Sequence, residues 1–170
     1  ERLITAKSAP VFGGVYKLAA VEDEQGNIIP KIKISENTAK ITNPHYKKLY
    51  RFYDNESGKA LADELCVYDE TIDSTKPHTI FDPDAIWKTK TLTDYSVKEL
   101  HVTVFKNGEL VYKQPSLFEI KRYCAEQTET LWDEVKRFEN PHTYYVDLSK
   151  KLWDIKNELL EKSKDGKGLK

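Results

Sequence analysis

Residues 12 to 54 read FGGVYKLAAVEDEQGNIIPKIKISENTAKITNPHYKKLYRFYD, and this stretch predicts a protein built mainly around a β-sheet. Two β-rich runs, 15–22 and 28–34, flank a short loop at 23–27, whose glycine is typical of a hairpin. Two further apolar runs follow, at 49–53 and at 60–68. The simplest interpretation is a meander of four antiparallel strands.

Flanking segments continue this β-rich pattern with less regular chain. Residues 1–14 are interpreted as the end of a strand followed by a link, and 70–99 as a long loop, because prolines interrupt its apolar residues. Asn107-Gly108 lies between two short runs, 100–105 and 109–114. Both residues tolerate the positive φ of a type I′ turn, so this pair predicts a hairpin.

Helical periodicity begins only in the last third of the chain. Ser116 with Glu119 three residues later predicts a capping box, and the periodic apolar residues that follow predict a helix ending near Asn140. A second helix is expected to start near Asp147 or Ser149. The fold class is therefore α+β. We divide the chain into 1–14 as link, 15–115 as β-rich domain and 116–170 as two-helix segment.

Composition excludes several classes of protein. The 170 residues include 39% hydrophobic residues, which is enough for one core, and their net charge of −1 provides no overall positive field for nucleic acid or an anionic membrane. Apolar runs are too short for a membrane span, and two scattered cysteines indicate reduced thiols in the cytoplasm. Because the chain contains no methionine, we expect that it begins inside something larger or has been processed.

Candidate catalytic and metal-binding residues are few. The four histidines lack acidic or thiol neighbours at ligand spacing, and we favour a structural or solvated role for His45, His78, His101 and His142. Adjacent carboxylates at 22–24 and 133–134 point in different directions, so they do not predict an acid/base pair or a metal site. Gly13-Gly14 could cradle a phosphate, but a tight entry into a strand is the better interpretation.

Aromatic and basic residues leave two binding hypotheses open. Tyrosines alternate with basic residues between 31 and 53, a pattern that either binds single-stranded nucleic acid or forms a solvated sheet face, and we favour the solvated face. Trp87, Trp132 and Trp153 could form a sugar-stacking platform, although core or interdomain anchors are the better interpretation.

Several short sequence motifs resemble those of a known enzyme family. They occur in this order: RLIT from residue 2, GVYKL from 14, PKIKISEN from 30, KITNP from 40, FKNGEL from 105 and YVDLS from 145. Together they resemble the C-terminal region of nicotinate phosphoribosyltransferase in the bacterial form found in Gram-positive organisms. The resemblance covers nearly all 170 residues.

This resemblance implies a function that the residues alone do not reveal. Members of the family make nicotinate mononucleotide from nicotinate and phosphoribosyl pyrophosphate, with ATP hydrolysis and magnesium, in a central α/β barrel shared between two subunits. Their phosphorylated histidine lies upstream of this region, so the resemblance implies no catalytic residue, metal or cofactor site here. Partners would be the missing N-terminal and barrel parts of the same enzyme and a second subunit in a homodimer, with no nucleic acid and no membrane.

Two residues are placed near substrate by the resemblance alone. Glu1 and Arg2 follow the position of the family's phosphate-binding glycine turn, which implies that they lie beside the substrate phosphate. Where this chain has Glu1, the family commonly has threonine, so a backbone contact is the better expectation. Alternatives from other classes are a free-standing interaction module that binds protein or single-stranded nucleic acid, and a carbohydrate-binding module.

Overall fold

The computed structural model describes residues 14–164. Its strands are β1 (Ala20–Glu22), β2 (Ile28–Pro30), β3 (Lys47–Asp54), β4 (Ala60–Val67), β5 (His78–Asp82), β6 (Ala85–Leu92), β7 (Tyr95–Glu99), β8 (Phe105–Lys106), β9 (Glu109–Leu110) and β10 (Val146–Leu148). The helices are α1 (Leu117–Glu129), α2 (Asp133–Lys136) and α3 (Lys150–Lys164), with a 3₁₀ turn at Thr38–Lys40. The α+β class predicted from the sequence is confirmed.

Strand pairing differs from the predicted four-stranded meander. Within residues 14–164 the strands form one four-stranded sheet, ordered β10-β4-β3-β7, and three separate two-stranded hairpins, β1-β2, β5-β6 and β8-β9. β10 runs parallel to β4, whereas β3 pairs antiparallel with both β4 and β7. The first two predicted strands therefore do not continue into the central sheet.

The segment predicted as a long loop is largely regular. β5, β6 and β7 lie within 70–99, so the loop prediction is wrong. Pro77 immediately precedes β5 and Pro83 lies in the turn between β5 and β6. Since proline is tolerated at strand starts and turns, these prolines mark the boundaries of strands rather than their absence.

Local signals in the C-terminal half are confirmed at the turn and at the caps. Asn107 and Gly108 have φ of 52° and 82°, as the predicted hairpin requires, although β8 and β9 contain only two residues each. Ser116 and Glu119 form the predicted capping box. Ser149 Oγ accepts the Leu152 N–H at 3.2 Å, so the last helix begins where predicted.

The first helix is shorter than predicted, because tertiary contacts end it at Glu129. The Thr130 carbonyl accepts the Ala60 N–H at 2.7 Å, and Lys59 Nζ donates to the carbonyls of Glu129 and Leu131. Trp132 Nε1 in turn donates to the Ala60 carbonyl at 3.0 Å. These bonds draw the chain onto the start of β4 instead of into another helical turn.

Two apolar clusters pack on opposite faces of the central sheet. One contains Phe52, Ala62, Ile80, Leu92 and Tyr95 and lies under the β5-β6 hairpin. The other lies under α3 and contains Val67, Leu148 and Leu152. Because β4 is covered on both faces, charged residues within it are also buried.

Candidate functional site

The two residues predicted to lie near substrate, Glu1 and Arg2, fall outside the described residues, as does Gly13. Gly14 has no neighbour within 4 Å of the position that a Cβ would occupy. Nothing therefore crowds this glycine in the part of the chain that the structure describes. The phosphate-adjacent role remains an expectation.

A buried ion pair lies on the face of the central sheet that carries the odd-numbered residues of β4. Arg51 and Asp63 are partners in the β3-β4 register. Arg51 donates twice to the Asp63 carboxylate, from Nε at 2.7 Å and from Nη2 at 2.8 Å. Tyr144 Oη donates to Asp63 Oδ1 at 2.9 Å, and the guanidinium carbon lies 5.7 Å from the centre of the Tyr144 ring.

Charge and burial in this cluster explain the shifted pKa values. The hydrogen bonds to Asp63 raise the pKa of Arg51, and burial together with the Asp63 charge raises the pKa of Tyr144. Arg51 and Tyr144 therefore keep their usual protonation at neutral pH. Because the Asp63 carboxylate is fully occupied by its partners, the cluster is suited to fixing the sheet rather than to transferring protons.

A second polar group lies on the opposite face, under the β5-β6 hairpin. Glu64 accepts a hydrogen bond from His78 Nε2 at 2.8 Å and a weaker one from the Cys66 thiol at 3.6 Å. Burial and the nearby Glu64 charge raise the pKa of Cys66, so this thiol is unreactive. The structural role favoured for His78 agrees with these contacts.

Asp147 completes this acidic group from the neighbouring strand. It is paired with Glu64 in the parallel β10-β4 register and is only 4% exposed. Burial and the charges of Glu64 and Asp82 raise the pKa of Asp147 to about 6. No hydrogen bond joins its carboxylate to another side chain within residues 14–164, which distinguishes it from Asp63 and Glu64.

One cleft in the described part of the chain has a volume of about 670 Å³. It lies between the start of β4 and the segment that leads into β10, and Lys90, Trp132, His142 and Tyr145 are among its lining residues. The indole N–H of Trp132 is already donated to Ala60. Among the described residues that line it, no nucleophile is hydrogen-bonded to a base.

Three residues of the alternating tyrosine and basic pattern have their side chains bonded within the protein. Tyr50 is buried and donates to the Glu70 carbonyl at 3.1 Å, while Arg51 is committed to Asp63. Lys47 Nζ donates to backbone carbonyls at 3.2 and 2.6 Å, and burial lowers its pKa. These hydrogen bonds stabilise the central sheet and its connections.

Neither a metal-binding group nor a membrane-spanning helix is found among residues 14–164. Among residues 14–164, no three His, Cys, Asp or Glu side chains are grouped so that they could hold a metal ion. In the same range, no helix is both long and apolar enough to cross a membrane.

Reasoning from the sequence missed the buried acids. Asp63, Glu64 and Asp147 are not among the sequence-based candidates, because the acids weighed there are the adjacent ones at 22–24 and 133–134. A signal was present: Asp63-Glu64 interrupts the apolar strand ALADELCV, where an acid on either face is buried and needs a partner.

Comparison with known proteins assigns this α+β domain to a family. The family described as nicotinate phosphoribosyltransferase C-terminal domain matches residues 46–156. The chain therefore belongs to the nicotinate phosphoribosyltransferase family and corresponds to its C-terminal domain.

Individual relatives agree with this assignment. The chain is 36% identical over 163 residues to nicotinate phosphoribosyltransferase of Bacillus subtilis, covering 96% of the chain and 33% of that relative. It is 32% identical to the Dictyostelium discoideum enzyme of the same name, covering 92% of the chain and 27% of the relative. The chain thus spans a third or less of the length of these relatives.

A solved structure shares the fold. The crystal structure of human nicotinic acid phosphoribosyltransferase superimposes with a TM-score of 0.63 at 25% identity. The match covers 70% of this chain and 24% of the human chain. The family resemblance inferred from the short sequence motifs is confirmed.

Proposed function

We propose that this chain forms the C-terminal part of a cytoplasmic nicotinate phosphoribosyltransferase, which joins nicotinate to phosphoribosyl pyrophosphate and gives nicotinate mononucleotide for NAD salvage. ATP is hydrolysed alongside, and magnesium is required. The observation that carries this proposal is the 36% identity to the Bacillus subtilis relative over 96% of the chain. The relatives give no support to the alternative of a free-standing interaction module.

Within that enzyme, the segment acts as scaffold and interface. Its buried polar residues are mostly engaged with one another, as the bidentate pair of Arg51 and Asp63 illustrates. Chemistry on a phosphoribosyl group needs preorganised phosphate-binding groups and a metal site. We assign these groups to the barrel that the resemblance implies for the whole enzyme.

Exposed apolar residues support the interface role. Helix α1 buries none of its residues against the rest of the 14–164 segment, and Leu117 and Phe118 are 76% and 83% exposed. Phe105 and Leu110 of the β8-β9 hairpin are exposed as well. Apolar surface of this kind marks an interaction site, and we assign it to the remaining parts of the enzyme and its second subunit.

Glu1 and Arg2 keep their proposed place beside the substrate phosphate. Support comes only from the RLIT motif that follows Glu1, which resembles the corresponding stretch of the family. A backbone N–H at this position could bind phosphate whatever side chain it carries. Their contribution would be to positioning and not to bond breaking.

The decisive assay uses the purified chain. It is mixed with nicotinate, phosphoribosyl pyrophosphate, ATP and magnesium, and nicotinate mononucleotide and ADP are followed by mass. We expect neither product above a protein-free control, while the Bacillus subtilis relative makes both. Turnover by the chain alone that disappears when one of its histidines is replaced would contradict the scaffold assignment.

A chimera tests the positive part of the proposal. This chain replaces the aligned 163 residues of the Bacillus subtilis relative, and the matched control is the same relative with that region deleted. We expect the chimera to make nicotinate mononucleotide and the deletion variant to be inactive. A folded chimera without activity would show that this chain does not fulfil the role of the family's C-terminal domain.

A further inference from the structure

A cavity of about 210 Å³ lies where β10 meets the β5-β6 hairpin. Asp147 and Asp82 provide carboxylates, and Phe81 and Tyr145 provide aromatic rings. Since one water molecule occupies about 30 Å³ in the liquid, the cavity has room for a small organic group.

Asp147 is the only carboxylate of its group that lacks a hydrogen-bonding or ionic partner within residues 14–164. Glu64 is bonded to His78 at 2.8 Å, and Asp82 accepts the Asp84 N–H at 2.9 Å and lies 3.7 Å from Lys88 Nζ. Asp147 is 4% exposed yet lines the cavity. An unpaired carboxylate with little access to water is costly, so this position favours a donor.

Charges around Asp147 favour a cation. Glu64 on β4 and Asp82 on β5 are the charged neighbours that raise its pKa, and both are negative. Lys88 and Lys90 on β6 also line the cavity but are exposed. A cation that enters the cavity would meet the fields of all three acids.

Chemistry of the walls narrows the type of cation. No group of three His, Cys, Asp or Glu side chains capable of holding a metal occurs among the described residues, Asp147 and its neighbours included. Phe81 and Tyr145 present aromatic surface, to which flat guanidinium ions are attracted. A guanidinium also donates two parallel hydrogen bonds to one carboxylate, which an ammonium cannot do.

We propose that this cavity binds a guanidinium group, which pairs with the Asp147 carboxylate between Phe81 and Tyr145. The group comes either from a small molecule or from an arginine side chain of a polypeptide. The inference does not depend on the activity proposed above.

Methylguanidinium tests the site directly on the 170-residue chain. Its binding is followed by backbone amide NMR shifts at about pH 7.5, where Asp147 is ionised. Methylurea, which has the same shape but no charge, is the ligand control. We expect saturable shifts around the cavity with methylguanidinium and none with methylurea.

Two variants separate this site from general attraction to acids. D147N should weaken methylguanidinium binding by about ten-fold or more, because the ion pair is lost. D133N removes an exposed carboxylate that does not line the cavity and should leave the affinity unchanged. Equal affinity in wild type and D147N, or no saturable binding to wild type, would overturn the proposal.

The pH dependence keeps the test independent of whether D147N folds. Affinity in the wild type should fall as the pH drops from about 7.5 to 5, since Asp147 becomes protonated. Asp82, Glu64, Lys88 and Lys90 also face the cavity or its acids, and H78Q removes the histidine that is hydrogen-bonded to Glu64. The pH dependence should persist in H78Q; its loss there would contradict the role of Asp147.

Blocked arginine peptides distinguish the two sources of the guanidinium. Affinity for acetyl-Gly-Arg-Gly-amide that exceeds that for methylguanidinium by about ten-fold would assign the site to an arginine of a polypeptide. Similar affinities would assign it to a small molecule. Both results support the guanidinium site, and failure of both ligands to bind overturns it.

Discussion

Arg51 and Asp63 show how a single ion pair can hold two strands together inside a sheet. Both side chains are mostly buried, at 19% and 7% exposure, and share two short hydrogen bonds. Breaking such a pair from one side costs about 3–5 kcal/mol, because the remaining charge stays buried without a partner.

We therefore expect Asp63→Ala to lower the free energy of unfolding by about 3–5 kcal/mol. Urea denaturation followed by circular dichroism gives this value, and Asp69→Ala, which removes an exposed partner of Lys151, serves as the control. The control should cost less than about 1 kcal/mol. Equal losses in the two variants would show that the buried pair has no special importance.

Asp147 predicts a dependence of stability on pH with a definite sign. Its pKa is raised from 3.8 to about 6, so the folded state binds the proton more tightly than the unfolded state. This stabilisation is complete below about pH 4 and is lost as the pH rises through about 6, an effect of about 3 kcal/mol. Asp147→Asn should flatten the dependence.

The measurement is the free energy of unfolding of both proteins at about pH 4 and pH 7.5. Wild type should lose more stability over this interval than Asp147→Asn does. An identical loss in the two proteins would mean that Asp147 titrates alike in the folded and unfolded states.

At the level of elements, the capping box of α1 offers a local test. Ser116 and Glu119 bond reciprocally at the helix N-terminus, and replacing such a cap costs about 1 kcal/mol. Because α1 buries no residue among those described, Ser116→Ala should raise amide exchange rates mainly within α1. Exchange measured by NMR should rise about five-fold there, and Ser74→Ala, at an exposed turn position, should change nothing. Unchanged exchange would contradict the role of the cap.

The elements predicted correctly are those fixed by neighbouring residues. Asn107-Gly108 and the Ser116 box depend on chemistry within four residues, which the sequence displays directly. The partners of β3 and β4 depend instead on β7 and β10, which lie far along the chain. The end of α1 depends on Ala60, some 70 residues away.

The buried acids of the candidate site were not predicted, because their neighbours also lie far away in the sequence. Glu64 and Asp147 are 83 residues apart in sequence and become neighbours only through the parallel pairing of β10 with β4. These side chains are functional candidates because they are buried, and burial cannot be read from a single sequence. The family, by contrast, could be identified because its motifs are short contiguous stretches of sequence.

For the whole molecule, exposed apolar residues on α1 predict association. Leu117 and Phe118 are both largely exposed, and water solvates such apolar side chains poorly. We expect the isolated chain to form dimers or larger species, and Leu117→Ser/Phe118→Ser to shift it toward monomer in sedimentation velocity. Lys121→Ser on the same helix is the polar control and should not change the distribution. Monomeric wild type would contradict this prediction.

The parallel pairing of β10 with β4 also bears on how the chain folds during synthesis. Residues 63–65 leave the ribosome long before residues 146–148, their partners, exist. Until then β4 has a free edge, and free edges pair readily with other chains. Completing the sheet must therefore wait for nearly the whole domain, which makes nascent chains stalled between these two strands the species most in need of a chaperone.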